Sequence, residues 1–200
     1  MINFTLIDFN MSPMQIAGNI LTLIGMSLFF ISSFCKRKKD IILLQTGNHS
    51  ISLIGECLLG QVSGAVQDGV SILRNIFILL NKNNKYWNIF FIVLGVVLGT
   101  IFNIVFQLDN PFLIGIGFLP VIASFQYSII VLMPNIKVPF IKASMGFSCI
   151  CWTIYGLFLK NYSMALTNSI ILIATIISLI QYFISNRKGK KEIQEEVEEA

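Results

Sequence analysis

Apolar residues along this chain come in long runs, interrupted by short turns and small clusters of lysine and arginine. Seven runs stand out, at about residues 14–34, 41–59, 63–81, 87–106, 112–133, 141–159 and 164–184. At about 1.5 Å of rise per residue, each is long enough as a helix to cross about 30 Å of hydrocarbon. Within the second and third runs the pattern changes. The stretch Gly47–Asn81 stays mostly apolar, yet it carries the sole histidine, His49, together with Glu56, Asp68 and Arg74. An ionised side chain inside a bilayer costs on the order of several kcal/mol unless it is paired or hydrated, so these residues mark where function is to be sought.

The basic residues turn the seven runs into a topology. Lys36, Arg37, Lys38 and Lys39 follow the first run, and Lys82 and Lys85 follow the third. Lys137 and Lys142 flank the connection after the fifth, and Arg187, Lys188, Lys190 and Lys191 follow the seventh. The alternate connections, Gly60–Val62 and Gln107–Pro111, carry none, and the one after the sixth run carries only Lys160. Apart from Lys160 and the intramembrane Arg74, every basic residue falls on one side. The positive-inside rule then predicts seven transmembrane helices with the N-terminus outside and the C-terminus in the cytoplasm.

Composition agrees. With 55% hydrophobic and 12% charged residues and a mean hydropathy of +0.78, the chain has more apolar surface than a water-soluble domain can hide. The formal charge of +4 would suit nucleic acid, but the basic residues are spent as topology signals, and no nucleic-acid partner is expected. Cys35, Cys57, Cys149 and Cys151 lack CxxC spacing and read as small buried hydrophobes rather than disulfide or zinc ligands. Paired intramembrane aspartates, a GxSxG elbow, a phosphate-cradling glycine loop and an HExxH helix are all missing, so neither an enzyme nor a cofactor or metal site is expected.

An internal repeat organises the runs. At an offset of one hundred residues, positions 62–81 lie against 162–181, pairing Ser63 with Ser163, Ala65 with Ala165, Ile76 with Ile176 and Leu79 with Leu179. Three helices is an odd number, so a second unit joined directly would be inverted; the fourth run returns the chain and lets both units face the same way. The expected plan is an all-α membrane fold with a parallel 3+1+3 repeat and a solute site near mid-membrane between the halves. Its parts are an extracytoplasmic arm at 1–13, a first three-helix unit at 14–81, a loop and linker helix at 82–111, a second three-helix unit at 112–184, and a charged cytoplasmic tail at 185–200. The tail's basic residues would lie at the lipid surface.

The stretch Ser63–Asn75 with its Arg-Asn pair, Leu119-Pro120-Val121-Ile122, and Cys151-Trp152-Thr153-Ile154 carry a family resemblance. Over about residues 14–184 the chain resembles the YgjV-type bacterial inner-membrane proteins, and its 3+1+3 plan is similar to the SWEET and PQ-loop superfamily of small-solute carriers. The resemblance implies a multi-pass protein of the bacterial inner membrane and a transport role. The proline–asparagine signature of SWEET sugar carriers is absent, since Pro120 is followed by valine and Ile20–Leu21 has no proline.

The candidate solute-binding residues follow from the polar positions. Arg74 lies too deep in the third run to snorkel, with Gln67 and Ser71 on its helical face and Asp68 off it. His49 suits proton coupling or solute binding, because imidazole is the side chain that changes charge nearest neutral pH; a neutral histidine bonded to a neighbouring helix is the other reading. Glu56 shares its face but reads as reaching the outer interface. The second unit offers Gln126, Tyr127, Ser148, Trp152 and Asn168, and Pro120 is the candidate hinge. Gly95 and Gly99 would let the fourth helix approach a neighbour or a second copy of the chain.

At the hundred-residue offset His49, Glu56, Asp68 and Arg74 meet Cys149, Gly156, Asn168 and Ala174. Charge would thus come from one half only, with Arg74 setting its sign. The expected function is transport of a small polar or anionic solute by alternating access between the two units. A structural or interaction protein of the membrane, with these residues satisfied in helix packing, is the alternative.

Overall fold

The computed structural model describes residues 12–82, 84–106, 111–159 and 161–198, with side chains through residue 185. Among these residues lie seven α-helices: α1 Pro13–Ser32, α2 Lys38–Leu58, α3 Val62–Leu79, α4 Lys85–Phe106, α5 Pro111–Leu132, α6 Val138–Phe158 and α7 Tyr162–Glu198. They coincide with the seven apolar runs. The largest difference is α7, which passes the expected end at residue 184 because the tail is rich in the helix formers Lys, Gln and Glu. Most of the expected arm (residues 1–11), the connection at 107–110 and Lys160 lie outside the described residues, as do the side chains of Arg187, Lys188, Lys190 and Lys191.

The helix ends are written in the sequence. Ser12 and Gln15 form a capping box, Gln15 N–H donating to Ser12 Oγ at 3.3 Å and Ser12 N–H to Gln15 Oε1 at 2.9 Å, with Pro13 in the first turn. Helix α2 ends in a Schellman turn: Gln61 N–H donates to Glu56 O at 2.9 Å and Gly60 N–H to Cys57 O at 3.2 Å. Gly60 has φ +69°, the left-handed conformation that such a turn demands. The same turn closes α3, with Asn81 at φ 55° in the glycine's place.

Five helices are long and apolar enough to cross a membrane: α1, α4, α5, α6 and the part of α7 from Tyr162 to Ser185. The remaining two, α2 and α3, carry the polar stretch noted above. Beside a few apolar residues, they bury Gln45, Asn48, Ser52 and Glu56 on α2 and Ser63, Gln67, Asp68, Ser71, Arg74 and Asn75 on α3, so both helices turn polar faces inward. Helix α4 is the opposite case. Its buried residues Phe91, Gly95, Gly99 and Asn103 form a single stripe four residues apart, and Ile89, Val93, Val97 and Ile101 are exposed to what would be lipid.

Helix α2 packs between α1 and α3, and α6 between α5 and α7. Contacts of α3 with α5 and of α1 with α7 close these six into a ring, while α4 packs outside it against α3 and α5. Helix boundaries recur at a fixed offset. Helices α2 and α6 begin and end 100 residues apart, and so do the starts of α3 and α7. Their connecting turns carry equivalent bonds: Gln61 N–H to Glu56 O at 2.9 Å and Asn161 N–H to Gly156 O at 2.8 Å, Ala65 N–H to Gln61 O at 3.0 Å and Ala165 N–H to Asn161 O at 3.1 Å.

Small residues set the closeness of α1 and α2. A Cβ on Gly55 would stand 2.8 Å from the carbonyl oxygen of Gly18, and one on Gly18 would stand 2.9 Å from the carbonyl oxygen of Gly55. Backbone meets backbone there, so neither neighbour can rotate aside. Replacing Gly55 with valine is therefore expected to cost about 1–3 kcal/mol, read as a lower melting temperature of the purified protein in detergent.

Candidate functional site

A cavity of about 40 Å³ lies inside the ring, room for about three waters at roughly 10–15 Å³ each. All six ring helices line it and α4 does not. Met26 and Phe29 come from α1, Gln45, Asn48, His49 and Glu56 from α2, and Asp68 and Ser71 from α3. The second half supplies Ala123, Ser124 and Tyr127 from α5, Met145, Ser148 and Trp152 from α6, and Asn168 from α7. One apolar cluster, containing Ile41, Val131, Ile141 and Met145, lies toward the basic ends of α2 and α6. A second, containing Met26, Tyr155, Met164 and Ile171, packs α1 against α6 and α7.

The first half brings the charge. His49 Nδ1 lies 2.6 Å from Asp68 Oδ1 across the α2–α3 interface. Either the imidazole donates its Nδ1–H to the carboxylate or a protonated carboxyl donates to a bare nitrogen, so one proton is shared between two helices. The histidine side chain is 17% exposed and the aspartate 5%, so the pair sits at the edge of the buried region. One turn or more away, the Glu56 carboxyl lies against Gly64, where a Cβ would meet its Oε2 at 2.6 Å. At 1% exposure Glu56 does not reach the interface as its position near the helix end suggested. Only a glycine opposite leaves room for it.

Several lining groups have a polar atom with no protein partner. These are Glu56 Oε2, Gln45 Nε2 and Asn168 Oδ1. The other ends of two of them are tied down: Tyr127 Oη donates to Gln45 Oε1 at 2.5 Å, and Asn168 Nδ2 donates to Met164 O at 2.9 Å. A buried polar atom left without a partner costs about 1–3 kcal/mol. Such atoms around a cavity call for water or a bound solute. Trp152 forms an apolar wall, set edge-on to Tyr155 with centroids 5.6 Å apart.

Arg74 is buried at 1% exposure but does not line the cavity. Its Nη1 donates to Ser128 Oγ at 2.5 Å, its Nε and Nη2 donate to Asn75 Oδ1 at 3.2 and 3.1 Å, and its Cζ lies 5.3 Å from the Tyr127 ring centroid. Tyr127 thus separates the guanidinium from the cavity and takes its position partly from it. Among the described residues no carboxylate lies within ion-pair distance of Arg74.

The other candidates divide between the cavity and the helix seams. His49, Ser71, Trp152 and Asn168 line the cavity. Gln67 instead faces α4, donating to Gly95 O at 2.9 Å, and a Cβ on Gly99 would overlap its amide. Both glycines let α4 approach its neighbours, Gly95 against α3 and Gly99 against α3 and Val121 of α5. Gln126 knits α5 to α6, donating to Ser148 Oγ at 2.8 Å and accepting from Ser144 Oγ at 2.8 Å. Pro120 sits buried within α5, and Ser63 of α3 donates to the Gly117 carbonyl, one turn before it, at 2.8 Å. Tyr127 and Ser148, expected in the second half, also line the cavity, and so does Glu56, whereas Gln45 and Asn48 were not among the expected site residues. A signal for the α2 members existed: residues 45, 48, 49, 52 and 56 follow helical spacing and are all polar.

A family model described as Imp-YgjV, bacterial inner membrane protein, matches residues 16–186. No curated protein and no solved structure matches the chain.

Proposed function

The chain belongs to the Imp-YgjV family of bacterial inner membrane proteins, and on that footing we propose that it is a carrier for a small polar solute, working by alternating access between two three-helix units. The observation that carries this reading is the cavity itself. Both halves of the ring line it, the linker-like α4 takes no part, and buried polar atoms face it without protein partners. Carriers built from repeats bind between the repeats near the bilayer midplane.

The repeat is parallel in this account, in a 3+1+3 plan with the N-terminus outside and the C-terminus inside. The hundred-residue register of helices and turn bonds supports it. So does the meeting of Asn161 Nδ2 with Gln61 Oε1 at 3.0 Å, because a residue that touches its own counterpart lies beside a two-fold axis. This is also what favours a kinship with the SWEET and PQ-loop carriers. The solute class follows from the lining. With Arg74 behind Tyr127, the ionisable groups at the cavity are His49, Asp68 and Glu56, which suit a solute that donates hydrogen bonds or carries positive charge, or a proton moving with a neutral solute.

Uptake into vesicles reconstituted with the purified protein, screened over small amines, amides, polyols and carboxylates with and without a pH gradient, tests this. Saturable uptake of one class, absent from protein-free vesicles, is the expected result. A structural or interaction role is favoured by the tight seams at Gln67 and Gln126, and it predicts no uptake of any class.

A further inference from the structure

The repeat also produces two clefts at the basic end of the bundle, and they differ in one respect. One cleft, of about 380 Å³, is lined by Lys38, Ile42, Ile78, Asn81 and Pro134. The other, of about 630 Å³, is lined at the positions one hundred residues away by Val138, Lys142, Ser178, Gln181 and Phe34. Deep in the first cleft Ile42 and Ile78 make an apolar floor. In the second the same two positions hold Lys142 and Ser178, 5% and 7% exposed. Nζ of Lys142 donates to Ser178 Oγ.

An ammonium group has three donors, and a single hydroxyl occupies one of them. Among the described residues no carboxylate stands within ion-pair distance of Lys142, and none lines the cleft. Lys36 and Lys137, both exposed, line the same cleft. Three positive charges therefore converge on an open space whose floor is a buried lysine lacking a counter-ion. A buried unpaired charge is strongly unfavourable, and the opening beside it is large enough to admit an anion.

We propose that this second cleft binds a phosphate-type oxyanion, held at its floor by Lys142 and Ser178 and at its rim by Lys36 and Lys137. The phosphate belongs either to an anionic lipid headgroup, with Phe34, Ile136 and Val138 against the rest of the lipid, or to a soluble phosphate compound. The site is separate from the central cavity and does not depend on transport.

The test uses the full chain in detergent, titrated with phosphatidylglycerol, with zwitterionic phosphatidylcholine, and with inorganic phosphate against chloride at equal ionic strength. Melting temperature and native mass spectrometry are the readouts. Stabilisation by phosphatidylglycerol but not by inorganic phosphate or phosphatidylcholine assigns a lipid headgroup; stabilisation by inorganic phosphate assigns a soluble anion. Either response should weaken about tenfold in affinity in Lys142→Met, the loss of one charged hydrogen bond, and weaken at high salt. If Lys142→Met does not fold, Lys36→Gln with Lys137→Gln, both exposed, should weaken binding in the same direction. No stabilisation by either anion, or binding unchanged in the variants, overturns the proposal.

Discussion

Asp68→Asn is expected to lower solute uptake about ten- to hundredfold while the protein remains folded in the membrane. Asparagine keeps the size of the side chain and one carbonyl oxygen, so packing against α2 survives. It loses the carboxylate that shares a proton with His49 at 2.6 Å, and with it a charged hydrogen bond worth about 1.5–3 kcal/mol. At about 1.4 kcal/mol per tenfold, that sets the size of the effect. His49→Gln should produce a loss of similar size, and the double variant should be little worse than either single one, because both remove the same bond. Losses that simply add would mean that the two residues act separately.

Removing Arg74 is expected to give the largest loss of stability of any polar substitution in the chain. Arg74→Ala empties the space of a fully buried guanidinium and leaves Ser128, Asn75 and the Tyr127 ring without their partner. By analogy with large-to-small core changes the cost is on the order of 3 kcal/mol. Arg74→Met should recover much of this, since it refills the volume and removes a buried charge that lacks a carboxylate partner. The folded methionine variant should keep most of its uptake, in contrast to Asp68→Asn, because Arg74 does not line the cavity and packs against the Tyr127 ring, which does. Melting temperature and uptake measured on the same preparations separate the two residues. An Arg74→Met protein that is as stable as wild type but transports nothing would place the arginine in contact with solute.

The elements were legible in the sequence, and the site was legible in part. Apolar runs and basic connections report directly on how a chain meets a bilayer, which is why seven helices were readable even where α2 and α3 carry polar residues. A hundred-residue offset was readable from Ser63 over Ser163 and from the basic loops, and backbone bonds of the turns at Gln61 and Asn161 recur at the same offset. The direction of individual polar side chains was another matter. Arg74 was read as a solute contact because depth and charge are visible in a sequence, whereas the aromatic ring of Tyr127, fifty-three residues later, that screens it is not. Gln67 and Gln126 look the same as Gln45 in one dimension. Only the packing shows that the first two close helix seams and the third faces the cavity. Glu56 was read as reaching the interface because its burial depends on the missing side chain of Gly64, on another helix.

The central claim is that solute passes through the cavity between the two halves, and Ser71 is the place to test it. This residue lines the cavity from α3 and is 4% exposed, and cysteine replaces serine there with little change in volume. In a background with Cys35, Cys57, Cys149 and Cys151 replaced by alanine, Ser71→Cys should react with a membrane-impermeant thiol reagent in both right-side-out and inside-out vesicles. A transported solute should slow both reactions. Reaction from one face only, or from neither, would contradict alternating access through this cavity.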